Sequence, residues 1–338
     1  MKRVLVIIFF SLFFLSIVVL YEVLWSSNNF EGDRFITVSK GEYYGQVVDS
    51  LEKAGIIRSR MLFLAAGKIR GLTTKMQIGK YRFKSGVSNE DILQDLRHGT
   101  NIVMISVTIR EGLKATRIAR IFSKQAGIDS SRFMELVHNP ELAKKFGIEQ
   151  TSLEGYLMPN TYKVYWQSDE EDIIQAMVQE FWLAFNDTLK ARMESRKTTL
   201  NELLAIASIV EAETSVDSER AIIAGVYYNR LHKKMRLEAD PTIQYILEDG
   251  PRRLHYSDLH RESPYNTYRN YGLPPGPINN PGKGSIMAAL YPRRHKFLYF
   301  VANGYGGHTF TKSFTEHKEA IKKFKKVREE QQALKDAG

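Results

Sequence analysis

An apolar run near the start of the chain is the feature that most limits how this sequence can fold. Residues 4–25 read VLVIIFFSLFFLSIVVLYEVLW, interrupted only by Ser11, Ser16 and Glu22. As a helix rising about 1.5 Å per residue, the run is roughly 30 Å long, the thickness of a membrane's hydrocarbon core. It ends in aromatic residues, without the small-residue cleavage site of a secretory signal peptide. We therefore predict an uncleaved signal anchor that crosses the membrane once.

The positive charges around this span predict its orientation. Lys2 and Arg3 precede the span, and the next basic residue is Arg34. Because cytoplasmic flanks carry the excess of Lys and Arg, residues 1–3 are predicted to lie in the cytoplasm. Everything after residue 25 is then outside the plasma (inner) membrane, in the periplasm or the extracellular space. That location argues against a cytosolic metabolic enzyme.

The overall charge fits this location and does not indicate nucleic-acid binding. The chain has 48 Lys and Arg against 38 Asp and Glu, a formal net charge of +10. The excess is spread too thinly to form a basic stripe along a phosphate backbone. We predict no nucleic-acid partner and expect the basic surface to face an anionic cell wall and membrane. The sequence contains no cysteine, which excludes disulfides, thiol nucleophiles and zinc–thiolate sites.

The exported part divides into a small domain and a larger one. Residues 26–35 are short and polar, which predicts a linker. Over 36–103 a brief strand, a turn and a helix recur, and a glycine follows each helix at the position of a C-terminal cap. This pattern predicts a small α+β domain. Its first unit resembles a LysM module, a strand-turn-helix fold associated with glycan binding. Residues 104–165 are predicted to connect it to a domain at 166–338 that ends in a basic helix.

One segment of the larger domain carries candidate catalytic groups. Residues 200–214 read LNELLAIASIVEAET, and Thr199 with Glu202 forms a capping box that predicts where a helix begins. At about 100° per residue, Glu213 lies at one edge of an apolar stripe and Glu211 at the other. A carboxyl group against aliphatic walls resists ionisation, so its pKa rises towards the range of a general acid. The spacing does not choose between the two glutamates, and it also suits ordinary polar residues at a helix end.

The loops that follow offer polar and aromatic side chains. Eight of the ten prolines lie between Pro241 and Pro292, which predicts stiff, loop-rich surfaces there. Amides, hydroxyls and aromatic rings on such loops suit a carbohydrate, whose hydroxyls need hydrogen bonds and whose ring faces stack. The same side chains also suit an internal role, holding the loops through Asx turns and tyrosine packing.

Motifs for metal or cofactor binding are weak or missing in the sequence. The eight histidines show no spacing typical of a zinc site. The run at 276–283 fails as a phosphate loop because its glycines are too far apart and two prolines interrupt it. The glycines at 304–307 lack the strand-to-helix setting of a dinucleotide fingerprint and predict a hairpin turn instead. We predict no metal and no organic cofactor.

Taken together, the motifs of the larger domain resemble those of one family. The octapeptide ASIVEAET occupies 207–214. The tripeptides SER, NRL, MRL and DPT follow at 218–220, 229–231, 235–237 and 240–242. The runs YNTY, GLPPG, YFVANG and GHTF continue the match at 265–268, 272–276, 299–304 and 307–310. The set resembles the membrane-bound endolytic murein transglycosylases, the YceG-like family, and the likeness extends over nearly the whole chain, including the anchor.

The resemblance implies a fold and a catalytic residue. The implied fold class is α+β, with a single transmembrane helix, a LysM-like domain and a lysozyme-like, mainly helical catalytic domain. Glu213, the second glutamate of the Glu-x-Glu-Thr motif, is implied to be the catalytic acid and base. Ala212 stands where some relatives carry Lys, a surface-type change that leaves activity unaffected. For glycan contacts we predict Thr214, Asn229, Asp240, Thr242, Tyr265 and Asn266.

The implied reaction is non-hydrolytic cleavage of peptidoglycan between MurNAc and GlcNAc, which leaves 1,6-anhydro-MurNAc ends. One carboxyl group suffices because it acts first as acid and then as base, whereas glycoside hydrolysis uses a pair. The resemblance alone implies endolytic cutting that ends glycan elongation. Two alternatives stay open: a muramidase-type hydrolase with Asp240 as second carboxylate, and a non-catalytic anchored scaffold that binds the cell wall. Peptidoglycan synthases and the elongation or division machinery are further candidate partners.

Overall fold

A computed structural model of the chain describes residues 2–72, 76–247 and 250–336 and divides into two compact units. Unit one is drawn from Met1–Val107, Phe122–Ile128 and Tyr162–Asp169, and unit two from Thr108–Ile121, Asp129–Thr161 and Glu170–Gly338. The predicted connecting region, 104–165, is thus shared between the two units. The predicted helix-rich α+β composition, with one N-terminal apolar helix, is confirmed.

Unit one combines helices with short antiparallel strand pairs. Its helices are α1 (Lys2–Leu24), α2 (Tyr44–Lys53), α3 (Arg60–Arg70) and α4 (Asn89–His98). Its strands are β1 (Ser27–Asn28), β2 (Arg34–Val38), β3 (Gly79–Phe83) and β4 (Val87–Ser88). β1 pairs with β4, and β2 pairs with β3. The next strand, β5 (Ile105–Thr108), pairs with β6 (Thr161–Val164).

Alternating side chains place the core of unit one on one face of the β2–β3 pair. Tyr81 and Phe83 on β3 are buried, whereas Arg82 between them is exposed, as the two-residue period of a strand requires. The apolar faces of α2 and α4 are buried in the same core. At the end of α4, Gly99 adopts the left-handed conformation with φ 71°, which confirms the predicted glycine cap.

The anchor helix runs directly into this core. Val23 and Leu24, the last residues of α1, are only 5% and 1% exposed and belong to the same buried cluster as Phe63 of α3. The side-chain amide of Asn89 donates a hydrogen bond of 2.8 Å to the carbonyl oxygen of Val23. This bond satisfies one of the carbonyls that a helix end leaves without an intrahelical partner. The end of the apolar span is therefore also part of unit one.

The prediction of a linker over 26–35 is wrong, because the structure folds this segment into unit one. Asn28 lies in β1 with its side chain buried, and its amide donates to the Val87 carbonyl and to Asn89 Oδ1 at 3.1 and 3.0 Å. The Asn28 side-chain oxygen accepts a hydrogen bond of 3.2 Å from the backbone of Arg58. The polar composition of residues 26–35 indicated solvent exposure, but the polar groups of Asn28 form hydrogen bonds inside the protein.

Unit two is mainly helical. After α5 (Ala115–Ala126), its helices are α6 (Ser130–Val137), α7 (Pro140–Lys145), α8 (Glu170–Ala184), α9 (Asp187–Ser195), α10 (Leu200–Glu213), α11 (Asp217–His232), α12 (Asp240–Ile246), α13 (Lys283–Leu290) and α14 (Phe314–Asp336). Strands β7 (Tyr299–Ala302) and β8 (His308–Thr311) form an antiparallel hairpin. Its turn confirms the hairpin predicted at 304–307.

The helix that carries the candidate glutamates, α10, has eight consecutive buried residues. The predicted capping box is confirmed, with Glu202 N donating to Thr199 Oγ1 at 3.2 Å and Thr199 N donating to the Glu202 carboxylate at 2.8 Å. The predicted single apolar stripe is wrong, since every residue from Leu203 to Val210 is buried. Helices α11, α12 and α13 pack around α10 and cover its other sides.

A helical side-chain pattern is interrupted in the structure. Residues 173–192 have the spacing of one helix that is polar on one side, but the chain forms α8 and α9 with a break between them. Asn186 begins α9 by accepting a hydrogen bond from the backbone of Leu189 at 3.2 Å. Asparagine is among the strongest N-cap residues, and here its capping role overrides the helical pattern that runs across it.

Truncating the last buried anchor residue should unfold unit one more easily. Leu24→Ala removes core contacts and leaves a cavity, which costs about 2–5 kcal/mol in comparable sites. We expect a lower midpoint of urea unfolding for the full-length chain in detergent micelles. Leu12→Ala is the matched control, because Leu12 lies on the same helix and is exposed. Equal midpoints for the two variants would contradict the assignment of Leu24 to the core.

Candidate active site

Glu213 is positioned by two helices of unit two. It is the last residue of α10, and Thr214 follows it as the C-cap in an extended conformation. The phenol of Tyr227, on α11, donates a hydrogen bond of 2.6 Å to Glu213 Oε1. Tyr227 is itself buried, so its hydroxyl has little freedom to move. The carboxyl group is therefore held in one place by a rigid donor.

The surroundings of Glu213 favour its protonated form. The side chain is half-buried, and burial raises its pKa to about 7. The hydrogen bond from Tyr227 opposes this shift because it stabilises the carboxylate, while the negative charge of Asp240 adds to it. A carboxyl group with a pKa near neutrality can both give and take a proton at physiological pH.

Glu211, two residues earlier, has a different environment. Its Oε2 accepts hydrogen bonds from Arg220 Nη1 at 2.9 Å and from the backbone of Gly282 at 3.0 Å. Arg220 is nearly buried and also contacts Asp217 and Ser285. Glu211 is thus committed to an internal ion pair. Of the two glutamates that the spacing left open, the structure leaves Glu213 as the one without a cationic partner among the described residues.

An open cavity of about 690 Å³ adjoins both glutamates. Its wall includes Glu211, Glu213 and Thr214 at the end of α10. The lining also includes two chain segments distant in sequence, 108–111 and 159–161. All of these residues belong to unit two. The cavity combines carboxylate, guanidinium, amide and hydroxyl groups, which are the groups that bind the hydroxyls and amides of a sugar.

A buried polar cluster joins the chain segments behind the cavity. The side-chain oxygen of Asn280 accepts hydrogen bonds from the backbone of Gly155 and Leu157 at 2.8 and 2.9 Å. Its amide donates to Glu154 Oε1 at 2.8 Å, and Glu154 also accepts from the backbone of Ala115. Burial raises the pKa of Glu154 to about 7. This cluster fixes the segment that leads to Pro159 and Asn160 in the cavity wall.

Two of the predicted glycan contacts lie close to Glu213. Thr214 is the only member of that predicted set among the described residues that line the cavity. Asp240 is exposed at the start of α12, accepts a hydrogen bond from the hydroxyl of Tyr268, and lies near enough for its charge to affect Glu213. These two positions are compatible with substrate contact.

The other four predicted contacts build the fold. Thr242 and Asn266 have no exposed surface, so the prediction that they contact a glycan directly is corrected. Thr242 donates to the Ala239 carbonyl at 2.7 Å, and Asn266 donates to the carbonyls of Leu259 and Arg261.

Asn229 and Tyr265 are half-buried and lie outside the cavity wall. The Asn229 amide donates to the carbonyls of His295 and Phe297 at 2.9 and 3.0 Å, so it holds that segment on α11. The ring of Tyr265 packs on Tyr245 with centroids 4.8 Å apart. The internal role that the sequence left open for the loop residues is therefore the one the structure supports for Tyr265, and Asn229 has a similar role on α11.

Sequence reasoning missed the residue that contacts Glu213 most directly. Tyr227 lies on the next helix along the chain, α11, and only the packing of α11 on α10 brings it to Glu213. Its position in a run of buried residues on α11 indicated a core tyrosine. Arg110 and Glu111 also line the cavity, although the sequence around them contains no catalytic motif. Among the described residues, no group of three or more His, Asp or Glu side chains is arranged to hold a metal ion.

Comparison with known sequences places this arrangement in one family. The model of the YceG-like family matches residues 36–323. The endolytic murein transglycosylase of Bacillus subtilis (strain 168) is 35% identical over 309 residues, covering 86% of this chain and 84% of that protein. The endolytic murein transglycosylase of Streptococcus pneumoniae (serotype 2, strain D39) is 29% identical over 305 residues, covering 80% of this chain and 54% of that protein.

A solved structure supports the same relationship. The 2.6 Å crystal structure of a yceG-like protein from Listeria monocytogenes superimposes with a TM-score of 0.63 and is 29% identical in sequence. The match covers 85% of this chain and 98% of that one. The similarity therefore extends over both units rather than over one of them.

Removing the Glu213 carboxyl should change how stability depends on pH. Because its pKa is raised from 4.5 to about 7, the folded state holds a proton that the unfolded state releases in this window. The free energy of unfolding therefore falls as pH rises from about 4.5 to 7. We expect Glu213→Gln to be more stable than wild type at pH 8 by about 3 kcal/mol, because each pH unit of that shift corresponds to about 1.4 kcal/mol.

The difference in the free energy of unfolding between Glu213→Gln and wild type should shrink towards zero as the pH falls to about 4. Urea unfolding across the pH range measures it. Glu135→Gln is the matched control for the loss of a carboxyl group at an exposed position, since the Glu135 side chain is 66% exposed. A Glu213→Gln difference from wild type that does not change with pH would contradict the raised pKa of Glu213.

Proposed function

The chain belongs to the YceG-like family, and we propose that it is a membrane-anchored lytic transglycosylase acting on the glycan strands of peptidoglycan through Glu213. Its relatives in Bacillus and Streptococcus are named endolytic murein transglycosylases. The observation that carries the assignment of Glu213 is its setting: a half-buried carboxyl group with a pKa of about 7, at the wall of an open polar cavity. A carboxyl group of this kind suits a reaction that needs one residue to donate a proton and then to accept one.

The first step uses Glu213 as an acid. Its carboxyl group donates a proton to the glycosidic oxygen between MurNAc and GlcNAc, and the bond from MurNAc C1 to that oxygen breaks. GlcNAc leaves with its hydroxyl restored, and positive charge develops on the MurNAc ring. Tyr227 stabilises the Glu213 carboxylate that results, because its hydroxyl already donates to Oε1 at 2.6 Å.

The second step uses the same group as a base. The Glu213 carboxylate accepts the proton of the C6 hydroxyl of MurNAc, and O6 forms a bond to C1 that closes the 1,6-anhydro ring. No water is consumed, and Glu213 returns to its protonated form. The attacking hydroxyl belongs to the same sugar, so proximity replaces the activation of a water molecule by a second carboxylate.

Substrate contact is proposed for the groups around this carboxyl. Thr214 lies in the cavity wall beside Glu213, and Asp240 lies close enough to influence its ionisation. Arg110 and Asn160 also line the cavity and offer a guanidinium and an amide to the sugar or its substituents. Thr242 and Asn266 support this surface from inside the protein.

Asp240 also supports a second candidate function, a muramidase-type hydrolase. Its negative charge raises the pKa of Glu213, so the two carboxyl groups are electrostatic neighbours, as a hydrolytic pair requires. The two functions differ in their products. Hydrolysis leaves a reducing MurNAc end, whereas the lytic reaction leaves an anhydro end that is lighter by one water.

The proposal also includes the location of the protein and the role of unit one. Lys2 and Arg3 before the apolar run support a cytoplasmic N-terminus, with the chain after residue 25 outside the plasma membrane. The compact core of helices on the β2–β3 pair supports a separate LysM-like domain over 36–103. We assign it glycan binding as a candidate role. Candidate protein partners are the synthases and the elongation or division machinery that work on the same polymer.

Glu213→Gln should abolish cleavage, because glutamine keeps the shape of the side chain but can neither donate nor accept the proton. A loss of general acid and base catalysis corresponds to at least about 10²–10⁴ in rate. The measurement is mass spectrometry of muropeptides after purified peptidoglycan is digested with the full-length enzyme. Glu135→Gln, on the exposed side of α6, should digest at the wild-type rate.

Asp240→Asn separates the two candidate functions in the same assay. A lytic transglycosylase should still yield anhydro products with this variant, at a lower rate if Asp240 contacts the substrate. If the wild-type enzyme gave reducing ends and Asp240→Asn showed no cleavage, the protein would be a hydrolase and not a lytic transglycosylase. Normal digestion by Glu213→Gln would remove Glu213 from the chemistry altogether.

Tyr227→Phe should move the pH profile of cleavage. The Tyr227 hydrogen bond lowers the pKa of Glu213, so its removal raises that pKa further above 7. Activity depends on the protonated acid and is expected to fall in wild type as pH rises through about 7. In Tyr227→Phe the alkaline limb of the pH–rate profile should lie at higher pH, and the maximal rate should be lower. A lower rate with an unmoved limb would limit Tyr227 to a packing role.

A further inference from the structure

Helix α3 of unit one carries an apolar face that remains exposed. Met61, Leu62 and Ile69 are 75%, 36% and 55% exposed, although all three side chains are large and apolar. At about 100° per residue they lie on one side of the helix. The other side is the one that packs into the core of unit one, through Phe63 and Ala66.

Both ends of α3 are tied to the residues that immediately follow the anchor. Before its first turn, the backbone of Arg58 donates to Asn28 Oδ1 at 3.2 Å. At its last residue, the guanidinium of Arg70 lies 5.7 Å from the centre of the Trp25 ring. Val23 and Leu24 are the buried residues of α1, so α3 packs against the outer end of the span. The helix thus lies across the point at which the anchor leaves the membrane.

The charges of α3 are suited to an anionic lipid surface. Arg60 and Arg70 form ion pairs with Asp49 and Glu90, both at 2.6 Å. Lys68, next to Ile69, is exposed and has no ion-pair partner among the described residues. A lysine beside exposed apolar side chains is typical of helices that lie in the headgroup region, where the apolar side chains enter the acyl boundary and the cation contacts phosphate.

We propose that α3 is an interfacial helix that binds the outer leaflet of the membrane crossed by α1. Met61, Leu62 and Ile69 insert at the boundary between headgroups and acyl chains, and Lys68 contacts anionic lipid phosphates. The proposal rests on the proposed membrane anchoring and is independent of the proposed chemistry of Glu213. It gives unit one two attachments to the bilayer, a span and a surface helix, which together restrict its tilt.

Lipid fits this face better than a protein partner does. The packing of α3 on the end of the anchor already brings the face to the membrane surface, so lipid contact requires no separate association step. Trp25 adjoins the same end of α3, and tryptophan is enriched at membrane interfaces. The exposed face is therefore continuous with the surface at which the anchor itself meets the headgroups.

The absence of cysteine allows a direct test with single-cysteine variants of the full-length chain. Spin labels are placed at Leu62→Cys and Ile69→Cys, and at Phe13→Cys in the middle of the span. Tyr43→Cys, at the N-cap of α2, is the exposed aromatic control. Each variant is reconstituted in nanodiscs of phosphatidylcholine with or without phosphatidylglycerol. Accessibility to oxygen, which enriches in lipid, is compared with accessibility to a water-soluble nickel complex.

Labels at 62 and 69 should show a higher oxygen-to-nickel ratio than the label at 43, and a lower one than the label at 13. Phosphatidylglycerol should raise the ratio at 69 further, and Lys68→Gln should cancel that increase. Labels at 62 and 69 that match the label at 43 would overturn the proposal while leaving the anchor intact. An aqueous label at 13 would overturn the anchoring itself. Dipolar broadening between labels at 69 would assign the face to a second copy of the chain instead of lipid.

Discussion

The burial of α10 on all sides is the constraint on which the candidate site depends. Eight consecutive residues of this helix lie inside unit two, and α11, α12 and α13 surround it. A helix packed this tightly cannot rotate or slide, so the two glutamates at its end have fixed positions. Tyr227 reaches Glu213 because α11 packs on α10, and Gly282 reaches Glu211 because α13 begins there. The chemistry at the end of α10 is therefore a consequence of the core beneath it.

Two glutamates separated by one alanine have different tasks because their surroundings differ. Glu211 faces Arg220 and becomes part of a buried ion pair that holds α10, α11 and the start of α13 together. Glu213 faces an aromatic hydroxyl and the cavity. Burial raises its pKa, and a single hydrogen bond opposes that rise instead of a full positive charge. The same residue type thus serves structure at one position and suits proton transfer two residues later.

The elements set by local rules could be predicted from the sequence, whereas those set by tertiary contact could not. The capping box at Thr199, the glycine cap at Gly99 and the apolar span depend on neighbours within a few residues. The burial of Thr242 and of Asn28 depends on partners far along the chain, such as Thr267 and Asn89. For the candidate site, motif resemblance predicted Glu213, but its hydrogen bond with Tyr227 depends on the packing of two helices. Polar residues were the hardest to assign, because a buried amide and a ligand-binding amide look alike in sequence.

The end of the apolar helix and the core of unit one are one packing unit. Val23 and Leu24 are the last residues of the apolar span, and they also complete the hydrophobic core of unit one. Cleavage of the chain after Leu24 would remove both side chains from that core, whereas a cut earlier in the span would leave them attached. A form of unit one that starts beyond Leu24 is therefore destabilised by the cavity it inherits, so the span contributes to folding as well as to length.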